Sequence, residues 1–161
     1  MNNKNKISKL WNRNELFFTS VVTILILSFP IGFIHESGHI LVCVSNDYDY
    51  TFTFEDLAMN VYCSNTPQPV LLYFALGGTF GVIASMMLFL LKIVRTNKGI
   101  FMGVSVTAFD HFLKAIFETF THSDYLFNTN LFIYMSVLPI LLLFMLWWYF
   151  TKQPQKKLKS N

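Results

Sequence analysis

Of the 161 residues, 53% are hydrophobic and only 13% are charged, about half the ~25% charged share of an ordinary soluble domain. That composition excludes a water-soluble globular enzyme and points to an all-α membrane protein, a single integral domain over residues 1–161. The net charge of +3 is what basic flanks facing anionic lipid headgroups produce, and it is no argument for nucleic acid.

In chain order, residues 1–14 form a polar, basic arm with Trp11 placed as an interfacial aromatic anchor. Four apolar runs follow, at approximately 16–45, 69–94, 99–122 and 130–150. At about 1.5 Å per residue each can cross a ~30 Å hydrocarbon core, so about four transmembrane helices are expected. The first has a basic flank like that of a signal peptide, but it stays apolar to Val44 with no small-residue cleavage site, as a retained helix does. Pro30 and Gly32 loosen it, and a kink is expected there. Between the first two runs, Tyr48–Phe54 and Asn60–Cys63 are aromatic and β-branched stretches around Glu55–Met59. They predict a short external hairpin closed by Pro67 and Pro69. The second run carries small residues at 77, 78, 81, 84 and 85, which let another backbone approach closely. The fourth ends in Trp147-Trp148-Tyr149, has no ionisable residue before Lys152, and reads as scaffold.

Orientation follows from Lys and Arg, which concentrate on the cytoplasmic side. Lys4, Lys6, Lys9 and Arg13 precede the first run; Lys92, Arg95 and Lys98 join the second to the third; Lys152, Lys156, Lys157 and Lys159 end the chain. Segments 46–68 and 121–129 contain neither Lys nor Arg. The expected placement is the cell membrane, with both termini cytoplasmic and those two segments outside. Cys43 and Cys63 form no metal-type pair, and they can bond to each other if both face an oxidising exterior.

The chemistry lies in the first run, at His35-Glu36-Ser37-Gly38-His39. Positions i and i+4 share a helical face, so two imidazoles can bind one Zn²⁺ while the intervening Glu reaches a water beside it. His35 and His39 are the candidate ligands and Glu36 the candidate general base. Ionisable side chains at membrane depth cost several kcal/mol each and usually mark function. The bland alternative, a hydrated helix end with no metal, leaves three such residues within one turn unexplained.

A catalytic zinc needs a third protein ligand. The third run offers Asp110, His111, Lys114, Glu118 and His122 as a polar stripe, with Asp124 just beyond. Counted from the cytoplasmic end, the histidine pair lies ~30 Å across, Asp110 ~17 Å, Glu118 ~29 Å, His122 ~35 Å and Asp124 ~38 Å. Asp110 is too deep; Glu118, His122 and Asp124 are all within reach. Asp110 and Glu118 each stand four residues from Lys114, so either can pair with that ammonium.

The His-Glu-Ser-Gly-His motif in an apolar helix, the hairpin-like segment after it, the Gly-Gly-x-x-Gly of the second run and the late Asp in His122-Ser123-Asp124-Tyr125 together resemble the site-2 protease family of intramembrane zinc metalloproteases, over roughly residues 25–128. Two departures stand out: Tyr125 follows the Asp where the family has Gly, and the family's Pro and Asn are missing from residues 77–85. The resemblance implies zinc as cofactor, His35, His39 and Asp124 as ligands, Glu36 as base, and a membrane-protein or peptide substrate cleaved in or near the bilayer. A membrane-embedded gluzincin-type peptidase with Glu118 as third ligand is the alternative enzyme. A non-catalytic relative that binds metal or a partner helix is the alternative outside enzymes.

Overall fold

The computed structural model describes residues 3–55, 58–121 and 129–152. The elements are helix α1 (Asn3–Ser45), strands β1 (Tyr50–Glu55) and β2 (Ala58–Cys63), helix α2 (Val70–Leu88), the single turn α3 (Lys92–Thr96), helix α4 (Lys98–Thr121) and helix α5 (Thr129–Lys152). Four stretches are long and apolar enough to cross a membrane: Arg13–Ser45, Val70–Leu88, Lys98–Thr121 and Ile133–Lys152. Large apolar side chains such as Leu25, Ile26, Phe29, Met87, Phe120 and Met145 are exposed, while Ser20, His35, Glu36, His39, Ser85, Thr107, His111 and Glu118 are buried. This inside-out distribution suits a hydrocarbon solvent. The buried hydroxyls are satisfied within their own helices, as in Ser20 to the Leu16 carbonyl and Ser85 to the Gly81 carbonyl.

The first helix continues through Pro30 and ends on a Schellman cap. The Tyr48 N–H donates to the Cys43 carbonyl and the Asp47 N–H to the Val44 carbonyl, with Asp47 in the left-handed region at φ 57°. Asp tolerates that region better than most residues, which makes it serviceable where glycine is usual.

The second apolar run does not stay helical to residue 94. At Phe89, Leu90 and Leu91 the N–H groups switch to carbonyls three residues back, Met86, Met87 and Leu88, so the helix tightens and stops before α3. Asn97 then caps α4, its side-chain oxygen accepting from the Gly99 and Ile100 N–H groups.

Helices α1, α2 and α4 pack together closely because glycines face their neighbours. A Cβ on Gly99 would lie 2.7 Å from Thr19 Cβ, and one on Gly103 would lie 2.6 Å from Thr23 Cβ, so α4 meets α1 almost backbone to backbone in its first turns. Helix α5 seals the same end: Leu143 packs with Met102 and Val106, flanked by Leu16, Phe17 and Val21 of α1. Arg13 lies over the Trp147 ring at 4.9 Å, and Lys98 over Phe150 at 5.6 Å, which gathers cations and aromatic rings at one level.

The chain is mostly helical rather than purely so. Where the hairpin-like segment was expected, β1 and β2 form a two-stranded antiparallel sheet with Phe52 opposite Val61 and Tyr50 opposite Cys63. The hairpin lies along about the last four turns of α1. Met59 meets α1 at Gly32, the Phe33 and Phe52 rings stand 6.1 Å apart, and Cys63 is disulfide-bonded to Cys43.

Candidate metal centre

Two turns of α1 supply the motif. His35 and His39 project from one face, and their Nε2 atoms stand 3.3 Å apart. From α4, Glu118 Oε1 lies 3.3 Å from His35 Nε2, and Oε2 lies 3.8 Å from His39 Nε2. All three residues are buried, and their ligand atoms lie within 4.8 Å of one another, so the group could hold a metal ion. Atoms bound ~2.0–2.1 Å from a tetrahedral ion are themselves ~3.3–3.4 Å apart, which is the spacing of the closest pairs here.

The tautomer of His39 suits this use. Its Nδ1 lies 2.9 Å from the Tyr73 carbonyl oxygen, which can only accept, so Nδ1 carries the hydrogen and the neutral ring turns the Nε2 lone pair inward. The His35 Nδ1 has no hydrogen-bond partner among the described residues; that ring rests against His111, with centroids 5.5 Å apart. Glu36 stands to one side of the ligand group, its Oε1 3.8 Å from His35 Nε2, with the Val61 backbone N–H of β2 facing its carboxylate.

Thus the structure brings His35, Glu36 and His39 together, and among the described residues the carboxylate from another helix standing with them is Glu118. Its level on α4 agrees with the depth count. Asp110 lies elsewhere, paired with Lys114 of the next turn at 2.9 Å. His122 and Asp124 lie outside the described residues.

The glycines of α2 are part of the site. A Cβ on Gly77 would collide with the His39 imidazole, one on Gly78 with the Ala115 backbone, and one on Gly81 would lie 2.5 Å from His111 Nδ1. Gly38 of the motif likewise admits the Leu76 carbonyl, 2.5 Å from where its Cβ would be. Close approach was legible from the small residues; their partners were not. Gly77→Ala is therefore expected to push the His39 ring aside and weaken metal binding by ~10-fold or more, the size of a lost outer-sphere contact. Metal titration beside circular dichroism checks it, since helix content should hold.

Tyr73 and Val61 carry no signal in the sequence, because each acts partly through its backbone. No protein-family model, curated protein or solved structure matches the chain.

Proposed function

We propose that the chain is a membrane-embedded zinc metallopeptidase that hydrolyses a peptide bond in or near the bilayer. The observation that carries this is the convergence of two Nε2 atoms and a carboxylate, with His35 at tetrahedral spacing from both partners, and with a fourth buried group, Glu36, beside them. Two histidines and a glutamate are a donor set of catalytic zinc sites in peptidases. Zinc, when bound, supplies Lewis acidity toward a water and a peptide carbonyl.

The residues of the chain do the rest. His35, His39 and Glu118 would hold the ion from two different helices, and a carboxylate from Glu118 would offset part of its charge in a low-dielectric setting. Glu36 receives the proton of the attacking water on a carboxylate oxygen and returns it to the leaving amine nitrogen. A purely structural metal site has no use for that carboxylate. In this assignment Glu118 takes the role that the site-2 protease resemblance gives to Asp124, which brings the donor set nearer the gluzincin type. The test is metal content: purified protein should hold one zinc per chain and His35→Ala essentially none. A wild-type protein without zinc would refute the proposal.

The setting supports a cell-membrane location with both termini cytoplasmic. Lys and Arg flank one end of the four apolar stretches, and the Cys43–Cys63 bond suits an oxidising side for the other. Single-cysteine probes placed in 46–68, in a chain with Cys43 and Cys63 replaced, should react with an impermeant thiol reagent from outside, and probes in the C-terminal tail should not; the reverse pattern would overturn the orientation.

A further inference from the structure

We infer that the hairpin braces the metal centre, with Tyr73 as its positioning residue and the Cys43–Cys63 disulfide as its clamp. This rests on the metal-site reading above and adds a device to it.

One strand residue ties the hairpin to the site. Val61 sits on β2, whose only sheet partner among the described residues is β1, so its other edge faces the helices. Along that edge the Val61 carbonyl accepts the Tyr73 hydroxyl at 2.6 Å, and the Val61 N–H faces the Glu36 carboxylate. Tyr73 in turn offers its own carbonyl to His39 Nδ1 at 2.9 Å, with its ring 4.5 Å from the imidazole. One proposed ligand is thus held by the strand through Tyr73, and the proposed base stands against the same strand residue.

The strand is fixed by a covalent bond. Two residues beyond Val61, Cys63 is bonded to Cys43, which is one helical turn beyond His39 on α1. A closed circuit results: His39 along α1 to Cys43, across the disulfide to Cys63, back along β2 to Val61, through the Tyr73 phenol to its carbonyl, and so to His39. Every link is short, so none can move without its neighbours. A histidine ligand is oriented by the hydrogen bond on its other nitrogen, and loss of such partners weakens metal binding by ~10–100-fold. If the Tyr73 hydroxyl is lost, the first turns of α2 are no longer tied to the strand, and the carbonyl that orients His39 can drift.

The experiment compares zinc affinity, by chelator competition, and the visible spectrum of the cobalt-substituted protein in wild type, Tyr73→Phe, the double variant Cys43→Ser with Cys63→Ser, and Tyr62→Phe as control. Tyr73→Phe keeps the ring and the carbonyl and removes only the hydroxyl. It is expected to bind zinc about tenfold more weakly and to show an altered cobalt spectrum, at unchanged helix content. The double Ser variant should move in the same direction, and the exposed Tyr62 should not matter. Wild-type affinity and spectrum in both Tyr73→Phe and the double Ser variant would overturn the brace while leaving the metal centre standing. A wild-type protein that takes up neither metal would overturn the metal-site reading itself.

Discussion

Glu118→Gln should empty the site of zinc without unfolding the bundle. The substitution keeps the size of the side chain but replaces a carboxylate oxygen donor with a neutral amide, leaving two imidazoles 3.3 Å apart as the strong donors of the group among the described residues. Affinity should fall by more than the ~10–100-fold that outer-sphere partners are worth, because a first-sphere bond is removed. Glu118 is buried, about one turn along α4 from Ala115, which meets Gly78 at the tight α2–α4 seam, so an isosteric change is the right probe where a truncation would also open a cavity. His122→Ala, Asp124→Ala and Asp110→Ala are expected to retain one zinc per chain by elemental analysis. Asp110→Ala should instead lower thermal stability, since Lys114 loses its carboxylate partner at 2.9 Å. Zinc retained in Glu118→Gln and lost in Asp124→Ala would transfer the third-ligand role to the residue that the family resemblance implies.

What the residue pattern discloses about the site divides by range. The His35–His39 pair is intrahelical, so i,i+4 spacing alone puts both rings on one face, and the pairing of β1 with β2 is local in the same sense. Glu118 required a relation between helices. Counting rise per residue puts it level with the histidine pair but says nothing about rotation, so His122 and Asp124 stay within reach, and the family resemblance favours Asp124. The same limit applies to Lys114, which has carboxylates one turn either way and is paired with Asp110. The seat of the hairpin along α1 depends on Cys43 bonding to Cys63, and two cysteines twenty residues apart have no spacing signature that announces it. Helix α2 ends earlier than its hydropathy suggests because backbone bonding, not composition, changes at Phe89. Tyr73 and Val61 escape notice for a related reason: the groups that matter are carbonyls and an N–H, which every residue has.

Glu36→Gln separates binding from chemistry most cleanly. Glu36 lies outside the three-residue ligand group, with its Oε1 3.8 Å from His35 Nε2, so the amide should leave the His35, His39 and Glu118 donors in place and zinc at one per chain. What it removes is proton acceptance. The volume of a glutamine is that of glutamate, and its carbonyl oxygen can still face the Val61 N–H, so the strand and the helix need not move. Peptide-bond cleavage, however, needs the attacking water deprotonated and the leaving nitrogen protonated, and a positioned general acid–base contributes ~10²–10⁴-fold to such steps. The expected result is a fall in kcat of that order with KM and zinc content close to wild type, read on a membrane-reconstituted peptide substrate. A variant that keeps full turnover would show that Glu36 is not the base; a wild type that binds zinc and cleaves no peptide would leave the chain a metal-binding membrane protein.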